Sequence, residues 1–295
     1  MEEIVIGMGE LLWDELPGGR RIGGAPANFA YHVSQFGLKS SIVSAVGDDA
    51  DGRELLATLR QRGVDCCVAT VDRPTGTVGV TISGDGIPQY EIRRDVAWDH
   101  IPFTPALEEL AGRTRAVCFG SLAQRSAGTH DTLKRFLAAM PDDADRLKVF
   151  DINLRKPFYT PEVIEASLRM CNVLKINDEE LAILGEQQGW PADRLLAECP
   201  GLMERYGLRL LVLTCGTAGS YVFSAEETSY LETPRVQVAD TVGAGDSFTA
   251  ALVAALLRGR PVAEAHHLAV QVSAYVCTQA GAMPALPPEL TDRLR

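Results

Sequence analysis

Short continuous apolar runs alternate along this chain with longer stretches of helical spacing. Six runs, at 4–8, 41–46, 116–119, 148–152, 173–176 and 210–214, are aliphatic and β-branched enough to predict strands buried on both faces. Helical spacing fills the intervals at 27–36, 52–62, 129–140, 161–170, 178–184 and 191–206. Two more helices close the chain at 248–257 and 262–279; in the first of them Phe248, Leu252 and Leu256 recur every fourth residue, and Gly259 and Pro261 end it. This alternation predicts an α/β fold, a Rossmann-like mostly parallel sheet with helices on both faces. One segment breaks the rhythm. Residues 75–94 read as strand, turn, strand, with the turn at 84–88. Together with the Gly- and Pro-containing segment 13–24, a region reaching to about residue 98 predicts a small β lid on a single domain spanning 1–295.

Composition narrows the partners. The 295 residues are 46% hydrophobic, enough for a large buried sheet and against disorder. With 28 basic and 39 acidic residues the net charge is −11, which disfavours nucleic acid or an anionic membrane as the main partner. Seven cysteines, an odd number without a C-x-x-C pair, do not read as a disulfide framework, and the five histidines lack metal-site spacing. His266 and His267 read as ordinary surface or partly packed residues. The start, Met-Glu-Glu-Ile-Val-Ile, shows no signal peptide, and no apolar run is long enough to span a bilayer, so the expected location is cytoplasmic.

The strongest chemistry lies in Asp240-Thr-Val-Gly-Ala-Gly-Asp-Ser-Phe248. Glycines ahead of a helix let an anion approach the free amides of its first turn. A carboxylate there, Asp246, would repel an anion, yet it suits a base that takes a proton from a hydroxyl while the amides hold a phosphoryl group. A plain glycine turn with an acidic first-turn residue is the bland alternative. A P-loop and a dinucleotide fingerprint are both excluded: no G-x-x-x-x-G-K-[ST] run exists, and Phe248 stands where the third glycine would be.

Weaker motifs follow other predicted strands. Gly23-Gly-Ala-Pro-Ala-Asn-Phe-Ala30 opens the first helix, with Asn28 in its first turn. Asp14 can accept bonds from sugar hydroxyls. Asn177 and Glu180, three apart at a helix start, suit Mg²⁺ held through water or simply an acidic helix N-terminus. Thr214-Cys-Gly-Thr-Ala-Gly219 leaves room for a nucleotide or forms a tight turn between strands, because 220–223 looks extended. Arg155 in Asp151-Ile-Asn-Leu-Arg155 can fork a phosphate or sugar oxygen.

These motifs resemble those of the ribokinase-like (PfkB) carbohydrate kinases over essentially the whole chain. The run 23–30 is similar to that family's N-terminal motif, and 240–248 to its D-T-x-G-A-G-D motif. The resemblance implies ATP-dependent phosphorylation of a small sugar, with Asp246 as base and the amides of Gly243, Ala244 and Gly245 as anion hole. It implies sugar contacts from Asp14, Gly23, Gly24, Asn28, Arg94, Asn153 and Arg155. It implies nucleotide contacts from Asn177, Thr214, Gly216, Gly219 and Gly245, Mg²⁺ reached through water from Glu180, and K⁺ at the Asp240–Val242 loop. Val242 could offer K⁺ only its carbonyl. Lid-mediated homodimers occur among such relatives. Within the family, 151–155 and the lid run 90–99 look most like fructokinases, with two departures: Ile152 stands for Pro, and Trp98 separates Ala97 from Asp99 and could narrow the sugar pocket. Kinases for 2-keto-3-deoxygluconate, ribose or a nucleoside, and a non-catalytic sugar- or nucleotide-binding regulator, are the competing readings.

Overall fold

The computed structural model describes residues 3–16, 18–82, 88–143 and 145–294. All six predicted core strands form: β1 (Ile4–Met8), β4 (Ser40–Gly47), β8 (Thr114–Phe119), β9 (Leu147–Asp151), β10 (Val173–Asn177) and β11 (Leu210–Thr214). They join β5 (Asp65–Val71), β12 (Ser220–Phe223) and β13 (Thr228–Leu231) in one nine-stranded sheet. Its order is β13-β12-β11-β10-β9-β8-β1-β4-β5, with every strand parallel except β12, which runs antiparallel to both β11 and β13 near one edge. β5 was not predicted because Asp65-Cys-Cys-Val-Ala-Thr-Val71 is an edge strand with mostly half-exposed positions, and it lacks a continuous apolar run.

Alternate side chains of each central strand serve opposite layers. Val5, Val149 and Val173 pack against α1 (Ala25–Gln35), α8 (Ala244–Leu257) and α9 (Val262–Cys277) through Phe29, Phe248 and Val272. Ile6, Phe150 and Leu174 face the other layer, formed by α3 (Pro105–Gly112), α4 (Ala127–Ala139), α5 (Pro161–Met170), α6 (Asp178–Gln188) and α7 (Leu195–Tyr206). The short helix α3 carries Leu107, Leu110 and Ala111 into that core, a span too brief to stand out in the sequence. α2 (Ala50–Gln61) buries Leu55 and Leu59 beside Trp13 at the lid's base.

A second sheet of four strands, ordered β3-β2-β6-β7, is built from β2 (Leu12–Leu16), β3 (Gly19–Gly23), β6 (Gly76–Ile82) and β7 (Pro88–Ile92). Of the turn expected at 84–88, residues 84–87 lie outside the described residues and residue 88 opens β7. Its root is fixed to the main sheet. Asp49 caps α2 by accepting from Gly52 N (2.7 Å), and it also accepts from Thr75 N (2.8 Å) and Thr75 Oγ1 (2.6 Å) just before β6. Arg20 of β3 pairs with Asp51 (2.6 Å) and Glu54 of α2. Residues 97–100 belong to this root and form a buried helical turn. Trp98 does not narrow an open pocket: it is fully buried with Val96, Leu122 and Ala123, and the Arg125 guanidinium stacks 3.9 Å from its ring centroid. Arg125 is held there by Asp99, at 2.8 Å to each carboxylate oxygen.

Candidate active site

The strand order reverses on either side of β1, which is flanked by β8 and β4, and crevices form at such switch points beyond the strands' carboxyl ends. The candidate residues gather on that edge. Register places Asn177 beside Thr214 and Lys175 beside Asp151 on neighbouring strands.

α8 brings its N-terminus over this edge. Its N-cap is Gly243, with no side-chain cap. Gly243 has φ 78°, and a Cβ there would lie 2.7 Å from Ala282 Cα, so both backbone conformation and space require glycine. The helix therefore starts with donors that no side chain covers. The amides of Gly243, Gly245 and Asp246 carry no hydrogen bond among the described residues. Ala244 departs from expectation, because its N–H donates to Thr241 O at 3.3 Å in the turn. The free set is thus Gly243, Gly245 and Asp246 rather than Gly243, Ala244 and Gly245.

Asp246 turns toward α1, where Asn28 Nδ2 donates to its Oδ2 at 2.7 Å. Burial and the neighbouring Asp151 carboxylate push its pKa up to about 7, against the Asn28 bond and the Lys175 charge. Beneath it, Lys175 Nζ donates to Asp151 Oδ1 at 3.1 Å in a fully buried pair.

Three side chains near this edge keep acceptors without a partner among the described residues. Asp14 of β2 is half-buried without a hydrogen bond among the described residues, and burial raises its pKa to about 6. A Cβ on Gly23 would lie 2.3 Å from Asp14 Oδ2, so the glycine makes room for that carboxylate. Glu10, at the end of β1, is buried with Oε2 unpaired, and Asn28 Oδ1 is buried and unpaired as well. Burial raises the Glu10 pKa; its own backbone N–H, the Arg155 charge, the Ala25 backbone N–H and the Arg125 charge oppose that rise. Three acceptors without protein donors are what a polyol's hydroxyls would satisfy.

The other predicted contacts spread along the rim. Gly24 is the N-cap of α1. Asn153 adopts a left-handed φ of 40°, and its carbonyl accepts from Ser121 Oγ at 3.3 Å. Arg155 is exposed, with Nη1 donating to Leu154 O at 3.1 Å. Arg94 lies farther out. Its guanidinium sits 4.8 Å from the Phe158 ring centroid, and it borders an open cleft of about 800 Å³ lined by Asp48, Asp49, Asp72 and Asp95, away from Asp246.

At the other end of the edge, residues 216–218 form one helical turn between antiparallel strands, so the tight-turn reading describes the backbone. Gly219 has φ 114°, and a Cβ there would meet Leu231 O at 2.6 Å. Thr233 Oγ1 and Tyr230 OH donate to Gly216 O (2.6 Å) and Ala218 O (2.9 Å), which stiffens this loop.

Asn177 and Glu180 form a reciprocal capping box. Glu180 N donates to Asn177 Oδ1 (2.8 Å), and Asn177 N donates to Glu180 Oε2 (3.0 Å). Glu180 Oε1 also accepts from Leu154 N at 2.8 Å. Both carboxylate oxygens are therefore engaged by backbone, and among the described residues no group of three His, Cys, Asp or Glu could hold a metal ion. Asp240 is engaged too: Oδ1 accepts from Val242 N (3.1 Å), and Oδ2 accepts from Gly281 N (3.0 Å) and Arg21 Nη1 (3.4 Å). A K⁺ at the Asp240–Val242 loop would share that carboxylate with the Arg21 guanidinium.

Glu10, Asp151, Lys175 and Arg125 were not singled out from sequence. Lys175 had a signal: it is the one charge inside the apolar strand Val-Leu-Lys-Ile-Asn. His266 is a further correction. It is buried between Ser220 Oγ and Ser229 Oγ at 2.8 Å each, and burial lowers its pKa to about 4.

An uncapped helix start, an acid beside it and a second small sheet are features a phosphotransferase could use. The model of the pfkB family of carbohydrate kinases matches residues 17–289, and the chain belongs to that family. Salmonella typhimurium fructokinase is 30% identical over 279 residues, covering 90% of this chain and 88% of that protein. A rice (Oryza sativa) fructokinase is 27% identical over 316 residues, covering 98% and 96%. Among solved structures, Xylella fastidiosa fructokinase with bound ATP superposes with TM-score 0.83 at 21% identity, covering 100% of this chain and 98% of that one. A Pyrococcus horikoshii sugar kinase gives 0.82 at 26%, covering 99% and 96%. The protein is a sugar phosphotransferase of ribokinase-like fold. No helix among the described residues is long and apolar enough to cross a membrane.

Proposed function

We propose that this kinase transfers the γ-phosphoryl group of ATP to a primary hydroxyl of a small sugar, with fructose the first candidate. The observation that carries the reading is Asp246 beside the unengaged amides of Gly243, Gly245 and its own N–H. A carboxyl with a pKa of about 7 is poised to take a hydroxyl proton near neutrality. Asn28 fixes its orientation through the 2.7 Å bond. The free amides then meet the charge that develops on the transferring group, which is where phosphoryl transfer draws most of its stabilisation. Asp14, Asn28 Oδ1 and Glu10 would receive the sugar's other hydroxyls, and the lid strands would keep water from competing as acceptor. The turn at Gly216–Gly219 and Thr214 would flank the nucleotide.

The donor set suits Mg²⁺ reached through water. Glu180 and Asn177 keep lone pairs beyond the amides they accept, yet direct ligation would disturb the capping box. Bound with the nucleotide, Mg²⁺ would neutralise charge on its phosphates.

The test is an ADP-release assay over fructose, 2-keto-3-deoxygluconate, ribose and a nucleoside, with the wild type and Asp246→Asn. Fructose is expected to give the highest kcat/KM, and Asp246→Asn to lower turnover by roughly 10²–10⁴-fold. In the wild type kcat/KM should fall tenfold per pH unit below about 7. ATP binding without turnover of any acceptor would replace the kinase reading with that of a binding regulator. A folded Asn variant with near-normal turnover would remove Asp246 from the base role.

A further inference from the structure

Lys175 is the buried charge that the mechanism above leaves without a task. It is 7% exposed in the middle of an otherwise apolar strand. Its Nζ lies directly under the first turn of α8: a Cβ placed on Gly245 would sit 3.0 Å from it. Register sets it opposite Asp151, whose Oδ1 accepts from it at 3.1 Å. Asp151 Oδ2 contacts Thr249 Oγ1 at 3.4 Å, and that hydroxyl also contacts Gly245 O at 3.0 Å. The ammonium, the acid and the start of α8 are therefore one connected unit.

The charge balance around this unit is uneven. Asp246 from α8, Asp151 from β9, Glu180 from α6 and, farther off, Glu10 after β1 all act on the same region, and Lys175 is the cation buried among them. The exposed Arg155 and the largely buried Arg125 act on Glu10. Cys118 of β8, buried beside these groups, has its thiol held well above its ordinary range and adds no charge. Asn28 of α1 contributes a neutral hydrogen bond to Asp246. A strand-to-strand ion pair serving stability alone would work anywhere along β9 and β10. This one is under the turn that presents the free amides.

We propose that Lys175 is a positioning residue for phosphoryl transfer, holding positive charge behind the Gly245 amide and keeping Asp246 able to ionise among its acidic neighbours. The proposal rests on Asp246 being the base. In a site of low dielectric, a fixed charge behind an amide strengthens that amide's attraction for the developing phosphoryl charge, with no reorganisation needed at the moment of reaction. Its effect on Asp246 has a definite sign. Lys175 draws the carboxyl's titration down, and Asp151 pushes it up.

The experiment labels aspartate at the carboxyl carbon and follows Asp246 by NMR against pH, assigned by its loss in Asp246→Asn. Lys175→Met should move the midpoint up by roughly one unit, and Asp151→Asn should move it down. Lys175→Arg should keep it near the wild-type value. With the sugar that turns over in the panel, Lys175→Met should also lower kcat about tenfold at pH 9, where the carboxylate is ionised in both proteins, with KM little changed. A purely structural lysine would not give shifts of opposite sign in the two variants. If Lys175→Met does not fold, Lys175→Gln is read in its place, with the same upward shift of the Asp246 midpoint expected. Unmoved midpoints in folded variants would overturn the proposal. Opposite shifts in a protein whose Asp246→Asn variant still turns over would uphold the electrostatics while removing the base on which the proposal depends.

Discussion

Two helix starts sit side by side on the carboxyl edge of the sheet and treat the same problem in opposite ways. α6 and α8 each have an acid at the third helical position, Glu180 and Asp246. At α6 the cap residue Asn177 and Glu180 bond each other's backbone, so the N–H groups of these two residues are covered and the acid is fixed facing its own helix. At α8 the cap is a glycine, the acid reaches across to Asn28, and three amides are left without protein acceptors. One end is finished as structure, and the other is incomplete until something anionic arrives. A helix start that gives up its cap, worth about 1 kcal/mol, keeps its donors for a ligand.

The sharpest break in this comparison is between the two acids themselves. Asp246→Asn, besides its large loss of turnover, should stabilise the protein. A carboxyl whose pKa is raised by folding favours its protonated form, so its ionisation costs stability as pH rises from about 4 to about 7. The neutral amide escapes that cost, and a gain of roughly 1–4 kcal/mol in urea unfolding at pH 8 is expected. The same result as the wild type would mean that Asp246 is better solvated than its surroundings indicate.

Glu180→Ala should do the reverse. Removing the reciprocal cap and the Leu154 contact is expected to lower stability by about 1–3 kcal/mol in the same unfolding assay. An unchanged midpoint would show that α6 does not depend on its box. Gly243→Ala tests the uncapped end from the backbone side. Strain at φ 78° and the clash with Ala282 should cost about 1–3 kcal/mol and lower turnover with ATP binding weakened. Preserved affinity in a calorimetric titration would argue that the turn is dispensable for phosphate.

A smaller effect comes from the wall behind that turn. His32 of α1 is buried, its Nε2 lies 2.8 Å from Ala282 O, and burial lowers its pKa to about 4. His266 is lowered to the same value. A histidine whose folded pKa is depressed contributes stability that is complete above the unfolded value near 6.5 and lost as pH falls toward 4. Unfolding free energy should therefore decline across that window, and His266→Asn should flatten the slope. A slope unaltered by the substitution would place the acid sensitivity elsewhere.

Much of this was legible in the linear chain. Strands buried on both faces need unbroken apolar runs, so β1, β4, β8, β9, β10 and β11 stand out, and the helices between them force a parallel order. Gly243 and Asp246 were legible for a related reason: a positive φ and an acid ahead of an apolar helix are local requirements, written in adjacent residues. The β5 edge and the short helix α3 were not, because neither carries a long periodic signal.

What adjacency could not decide was which donors and charges would be left over. Asn177-x-x-Glu180 and Gly243-x-x-Asp246 have equal spacing, yet one acid folds back on its own helix and the other meets Asn28 across 218 positions of chain. Lys175 finds Asp151 through strand register, and Asp240 finds Arg21 through the placement of the lid. Pairing of polar groups is settled by distances between segments far apart in sequence, and burial then sets the strength of each charge. Residue types and local geometry come from the chain alone; their protonation and their freedom to act on a substrate come from packing.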